Sequence, residues 1–141
     1  MGLLSKILGG TPDYPQLPPD LAAAQQLEAI RANLEELAGE VSEPMEVVPG
    51  EASAYVFIGK PPKRFGVAWI EDDQIKSFKS VMAENNVSQQ QLNKVSDELR
   101  EAYKKYDDVT RYQTRIAERE IVVTPSDRLK DNVRQILTSL Q

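Results

Sequence analysis

Two short apolar runs on either side of a proline-containing break constrain the fold of this chain most strongly. Residues 54–58 are rich in β-branched and aromatic side chains, and residues 65–70 form a second run. The second run places three large side chains on one face, those of Phe65, Val67 and Trp69. The break at residues 59–64 contains glycine and two adjacent prolines, which is typical of a turn. We therefore predict two antiparallel strands joined by a short loop.

Other segments extend this predicted sheet. Residues 45–48 form a short β run, and residues 112–123 alternate between apolar and polar side chains around a hairpin turn near Glu118 and Arg119. Residues 74–79 are ambiguous, and we interpret them as a strand that leads into one helical turn near residues 80–84. Short turns between successive strands predict a mainly antiparallel sheet of about five strands.

A long amphipathic helix is predicted before the first strand, with Asp20 as its N-cap. Its apolar residues recur at spacings of three and four: Leu27, Ile30, Leu34, Leu37 and Val41. The pattern indicates a helix of about 22 residues. Two interpretations stay open at this point. The apolar face covers the sheet of its own chain, or it forms a seam with a second helix from another subunit, which would make the protein a homodimer.

Two further helices have distinct starting signals. Ser88 and Gln91 form a capping box before a helix of about 18 residues. Thr124 followed by Pro125 predicts an N-cap and a first helical residue for the closing helix. The apolar stripes of these two helices contain Leu92, Val95, Leu99, Tyr103 and Tyr106, and Leu129, Val133, Ile136, Leu137 and Leu140. The resulting order is α-β-β-β(-β)-α-β-β-α, an α+β domain over residues 20–141.

The first 19 residues form a separate segment. Leu3, Leu4, Ile7 and Leu8 share one face of a short amphipathic helix, and a Pro-rich tether follows it. This helix has three candidate docking sites: the sheet of its own chain, the groove of a partner protein, or weakly the surface of a membrane.

Composition excludes several functional classes. The 141 residues contain neither cysteine nor histidine, so thiol nucleophiles, histidine-based triads and Cys/His metal sites are absent, and we predict no cofactor. The net charge of −5 argues against nucleic-acid binding. The excess acid is concentrated in residues 1–50, which carry 2 basic and 8 acidic side chains. No apolar run approaches the length of a membrane span, so we predict a cytoplasmic protein.

A cluster of three cations lies in the predicted loop between two strands. Lys60, Lys63 and Arg64 accompany the proline pair, an arrangement that fits recognition of an acidic peptide, a phosphate or an anionic headgroup. The competing interpretation is a solvated turn whose charges protect a sheet edge. The pairs at residues 72–73 and 107–108 are both Asp-Asp and lie where turns are expected.

The order of a helix, three strands, a helix, two strands and a helix resembles that of type III secretion chaperones. The resemblance covers residues 20–141, concerns the order of elements only, and would imply an acidic, dimeric protein that binds extended client segments. From the residues we predict a non-enzymatic protein-binding module, an adaptor or chaperone-like subunit. The alternatives are a peripheral membrane-surface protein anchored by its N-terminal helix and, third, a ligand binder or carboxylate-based enzyme.

Overall fold

A mixed β-sheet with helices on both faces organises residues 14–140, the part of the chain that this computed structural model describes. In that part, five helices and six strands occur in the order α1 (Ala22–Ala29), α2 (Arg31–Glu40), β1 (Met45–Gly50), β2 (Ser53–Lys60), β3 (Arg64–Glu71), β4 (Gln74–Ser77), α3 (Phe78–Asn85), α4 (Gln89–Lys105), β5 (Tyr112–Ile116), β6 (Arg119–Val123) and α5 (Asp127–Thr138). The predicted α+β class is therefore confirmed.

The sheet has the strand order β4-β3-β2-β1-β6-β5. The first four strands form an antiparallel meander, and β5 and β6 form an antiparallel hairpin. The pair β1–β6 is parallel, with Glu46 opposite Val122. The prediction of about five strands, mainly antiparallel, thus differs in detail: the optional fourth strand of the meander is present, which makes six strands, and the prediction missed this parallel pair. It arises because the chain leaves one edge of the meander, passes through α3 and α4, and returns with β6 beside β1.

Alternation along the strands sends apolar side chains into two separate core layers. One layer packs under α3, α4 and α5 and includes Tyr55, Phe57 and Trp69 from the sheet. The other packs under α1 and α2 and includes Val56 and Ile70. Because both faces are covered, β1 is buried along its whole length. The predicted alignment of Phe65, Val67 and Trp69 on one face is confirmed.

The predicted long N-terminal helix is divided into α1 and α2 at Ile30, whose backbone leaves the helical region at φ −119° and ψ 19°. Its amide N–H bonds to the Leu27 carbonyl three residues back, at 3.1 Å. The apolar face nevertheless continues across the break: Leu27, Ile30, Leu34 and Leu37 are all buried in the layer under these helices. The interpretation in which this face covers the chain's own sheet is the one that the described residues show.

The capping predictions differ in outcome. Ser88 and Gln91 form the predicted capping box, with the Ser88 amide donating to Gln91 Oε1 over 2.9 Å. The prediction of Thr124 as N-cap of the closing helix was wrong, because Ser126 caps α5 and the helix begins at Asp127. Thr124 still pairs with the sheet, since its N–H donates to the Val47 carbonyl over 2.8 Å. The ambiguous residues 74–79 are strand β4 followed by the start of α3, as interpreted.

Part of the predicted Pro-rich tether lies along the sheet. Gln16 forms a parallel bridge with Gln113 on the outer side of β5. The Gln113 amide donates to the Pro15 carbonyl, and the Leu17 amide donates to the Gln113 carbonyl, both over 2.9 Å. We call residues 14–17 the N-terminal arm.

Candidate functional site

The predicted partner-binding residues fall into two groups. Leu3, Leu4, Ile7 and Leu8 lie outside the described residues. Lys60, Lys63 and Arg64 lie together at the β2–β3 connection, which we call the basic turn (residues 60–64). Lys60 ends β2 and pairs in register with Arg64 at the start of β3. The Lys63 amide donates to the Lys60 carbonyl over 3.1 Å, and the Pro61–Pro62 peptide bond within the turn is cis.

The three side chains of the basic turn are exposed. No carboxylate of the described residues lies within ion-pair distance of Lys60, Lys63 or Arg64, whereas other arginines and lysines of the chain do have such partners. Three cations that have no ion-pair partner in the described part of the chain create a local positive potential on an otherwise acidic protein.

A fourth cation supports the turn from helix α4. Arg100 Nε donates to the Pro62 carbonyl over 2.7 Å, and its guanidinium lies 5.6 Å from the centre of the Phe65 ring. Arg100 also pairs with Asp97 over 2.8 Å. Sequence reasoning missed this residue because it lies in a helical stretch remote from the turn, and only the packing of α4 on the sheet brings them together.

A cleft of about 440 Å³ opens beside the basic turn. Its lining combines apolar groups with charges: Pro44, Ile58, Phe65, Lys60, Arg64 and Glu43. Gly59 also lines it and has a φ of +117°. A β-carbon there would lie 2.8 Å from the Arg64 carbonyl, so glycine is required where the two strands approach.

A second group of polar residues is buried between the sheet and α4. The Glu46 carboxylate of β1 accepts hydrogen bonds from Tyr103 Oη over 2.7 Å, Thr124 Oγ1 over 2.6 Å and Arg111 Nε over 3.0 Å. The Arg111 guanidinium lies 5.2 Å from the centre of the Tyr103 ring. We call these four residues the Glu46 cluster.

The electrostatics of the Glu46 cluster fit a structural crosslink. Burial raises the pKa of the Tyr103 hydroxyl, and the adjacent Glu46 carboxylate raises it further, so Tyr103 remains a hydrogen-bond donor. Burial works against the charge of Arg111, but Glu46 more than compensates and the pKa of the guanidinium is raised. The cluster therefore holds a buried ion pair beside a protonated tyrosine.

Three tyrosines close to the β5–β6 hairpin are divided between the two core layers. Tyr103 and Tyr106 lie against the layer under α4, while Tyr112 lies against the layer under α1 and α2. The difference follows from the orientation of β5, which directs Tyr112 to the opposite face of the sheet. Trp69 is a core residue, 1 % exposed, and its indole N–H has no hydrogen-bond partner among the described residues.

The aspartate pairs occupy turns, as predicted. Asp72 and Asp73 form the β3–β4 turn with φ values of 52° and 59°, and Asp107 and Asp108 follow the end of α4. Across residues 14–140, no cluster of three or more acidic side chains is arranged to hold a metal ion. Over the same residues, no helix is both long and apolar enough to cross a membrane.

No family model matches this sequence, and neither a curated protein nor a solved structure matches it. The order of elements also departs from that of the type III secretion chaperones, because β4 adds a fourth strand to the meander and α3 a further helix after it. The candidate site is therefore defined by its own geometry, that of the basic turn and its cleft.

Proposed function

We propose that this protein is a non-enzymatic protein-binding module, an adaptor or chaperone-like subunit, and that the basic turn with its adjoining cleft receives an acidic segment of a partner protein. The observation that carries the proposal is the combination of three exposed cations, which have no ion-pair partner within residues 14–140, with a partly apolar cleft directly beside them.

Each half of this surface supplies a different part of recognition. Lys60, Lys63 and Arg64 attract carboxylates and accelerate encounter with an acidic partner. The apolar side chains of Pro44 and Ile58 line the cleft and offer a surface on which a partner side chain can be desolvated. A segment that carries Asp or Glu next to a bulky apolar residue matches both halves.

The turn is supported in a way that suits recognition. Arg100 fixes the Pro62 carbonyl and stacks on Phe65, and Gly59 permits the close approach of the two strands. A surface held in one conformation before binding loses less conformational entropy when the partner binds.

A charge-reversal variant tests the proposal. We would immobilise the full chain and compare wild type with K60E/K63E/R64E by quantitative mass spectrometry of the proteins retained from a cell extract. The matched control is K79E/K94E/K104E, which changes the net charge equally at three exposed lysines elsewhere. We expect acidic proteins to be retained by wild type and by the control but not by the turn variant. Their binding to wild type should weaken as the salt concentration increases.

Two results would contradict the proposal. The first is a set of retained proteins that is identical for wild type and the turn variant. The second is co-sedimentation of wild type, but not of the turn variant, with vesicles of 80 % phosphatidylcholine and 20 % phosphatidylglycerol in the absence of any retained protein. That outcome would favour the membrane-surface alternative.

The apolar N-terminal residues are a second proposed contact with the partner. Substitution of Leu3, Leu4, Ile7 and Leu8 by serine in the full chain removes the apolar face without altering charge. We expect the same partner to be retained less strongly by this variant. Unchanged retention would limit the binding surface to the basic turn and its cleft.

A further inference from the structure

We propose that the outer edge of β5 is a docking edge for an extended segment of a partner protein, and that the N-terminal arm occupies this edge as a placeholder in the free chain. This inference shares only the class of partner with the proposed function. It concerns the β5 edge of the sheet, whereas the basic turn joins β2 and β3 in the other half of the strand order.

The arm demonstrates which ligand the edge accepts. Residues 14–17 run parallel to β5, and both backbone groups of Gln113 that face outward are bonded to the arm, one to Pro15 and one to Leu17. The Leu17 side chain is half-buried against the core layer under α1 and α2. The edge therefore accepts an extended backbone together with one apolar side chain, which is the usual mode of strand addition.

The prolines of the arm remove two donors that would extend its ladder with β5 beyond Gln113. In a parallel ladder the hydrogen bonds recur every second residue, so the carbonyl of Arg115 should accept from the amide of residue 19. Residue 19 is proline and has no N–H to donate. Pro15 likewise lacks the N–H that would extend the ladder in the other direction.

Part of the edge is consequently left open. Strand periodicity points the backbone groups of Arg115 in the same direction as those of Gln113. Among the described residues, no backbone group outside the sheet pairs with Arg115. A partner segment with a residue other than proline at the position of Pro19 can form the bonds that the arm forms and can donate one more to Arg115.

The preferred occupant is thus defined by its chemistry. It is an extended protein segment that runs parallel to β5, carries a bulky apolar side chain at the position of Leu17, and has a free N–H two residues later. It competes with an arm that is tethered to the same chain and is therefore present at a high effective concentration, but residues 14–17 of that arm make two backbone bonds to β5.

A reversible lock on the arm provides the test, because the natural chain contains no cysteine. In the full-length variant Q16C/Q113C, oxidation should join the two bridge partners within one chain and hold the arm on the edge. The probe is a fluorescein-labelled peptide with the sequence of residues 12–21 carrying P19A. The control peptide carries L17D in addition to P19A. Binding is measured by fluorescence anisotropy.

We expect the reduced variant to bind the P19A probe about tenfold more tightly than the oxidised variant does. For the L17D/P19A control peptide, we expect no difference in affinity between the reduced and the oxidised variant. The full chain carrying L17D, whose own arm is weakened, should bind the probe more tightly than wild type. Circular dichroism spectra that match those of wild type would establish that the variants are folded.

Three outcomes would overturn the proposal. They are equal binding of the probe to the oxidised and reduced forms, absence of binding to both the reduced variant and folded L17D, and failure of the intrachain disulfide to form. The first two would leave the arm as a cover that protects the sheet edge from aggregation. None of the three affects the charge-reversal experiment on the basic turn, so the two proposals fail separately.

Discussion

Arg111 and Glu46 form an ion pair across 65 residues of chain, with Arg111 Nε 3.0 Å from Glu46 Oε2 and each side chain only about one-tenth exposed. Tyr103 and Thr124 complete the bonding of the carboxylate. The four residues come from β1, the end of α4, the segment before β5 and the position directly after β6. The Glu46 cluster therefore joins the meander to the hairpin at the parallel strand pair.

Removal of the carboxylate charge should destabilise the protein strongly. In E46Q the Arg111 guanidinium keeps its position but loses its buried counterion, and we expect the free energy of unfolding to fall by about 3–5 kcal/mol. Urea denaturation at pH 7 measures this change. The double variant E46M/R111M should lose much less than the sum of E46M and R111M, because no buried charge is then left unpaired. Additive losses would show that the pair is not coupled.

High pH should destabilise the fold through Tyr103. Burial, and then the charge and hydrogen bond of Glu46, hold the Tyr103 pKa above the ordinary value of 10.0. Below pH 10 the hydroxyl is protonated in both states, whereas above it the unfolded chain releases the proton first. The free energy of unfolding should therefore fall as pH rises above 10, by up to about 1.4 kcal/mol per pH unit for this residue.

Burial also raises the pKa of Tyr55, with Arg134 opposing the shift, so two tyrosines contribute to this alkaline effect. Urea denaturation at pH 8, 10 and 11 would reveal it. In Y103F the dependence above pH 10 should be shallower than in wild type, even though the variant is less stable at pH 8. A slope that is unchanged in Y103F would contradict the assignment to Tyr103.

Local patterns in the sequence predicted the elements of the fold more completely than their arrangement. The capping box at Ser88 and the apolar stripes of α4 and α5 are set by neighbours within a few residues, and they were predicted correctly. The parallel β1–β6 pair depends on residues 76 positions apart, as Glu46 and Val122 are. No local pattern marks it, and the same holds for Arg100 at the basic turn.

In the candidate site, too, residues that are close in the sequence could be predicted, whereas contacts between distant residues could not. The cations of the basic turn could be predicted because Lys60, Lys63 and Arg64 are adjacent in the sequence. Glu46 and Thr124 appeared as a strand residue and a helix cap, since each has an ordinary local role. The hydrogen bond between them requires β1 and β6 to lie side by side. Because Thr124 is held against β1 there, the closing helix begins later than the Thr-Pro pair predicts.

The β5–β6 hairpin contains a turn whose residues do not suit its backbone. Ala117 and Glu118 have φ values of 52° and 64°, a left-handed conformation that Asn and Gly adopt more easily. We expect A117N/E118G to raise the free energy of unfolding by about 1–2 kcal/mol. The β3–β4 turn is the matched control, because Asp72 and Asp73 already tolerate this conformation and D72N/D73G should give a smaller gain. Urea denaturation ranks the two variants, and an equal gain would contradict the argument.

Two glycines near the basic turn should respond in opposite ways to alanine. Gly59 has a φ of +117°, and an added β-carbon would meet the Arg64 carbonyl at 2.8 Å, whereas nothing lies within 4 Å of a β-carbon at Gly66. We expect G59A to lower the free energy of unfolding by about 1–3 kcal/mol. G66A should leave it unchanged or raise it by up to about 1 kcal/mol.

The same pair of variants connects the geometry of the turn to binding. Because the clash in G59A involves the backbone of Arg64, relief of that clash must displace one strand at the base of the turn and so move its cations relative to the cleft. At a temperature where both variants are folded, partner proteins that depend on the basic turn should be retained less by G59A than by G66A. Equal retention by the two variants would mean that binding depends on the charges alone and not on the conformation in which Gly59 holds them.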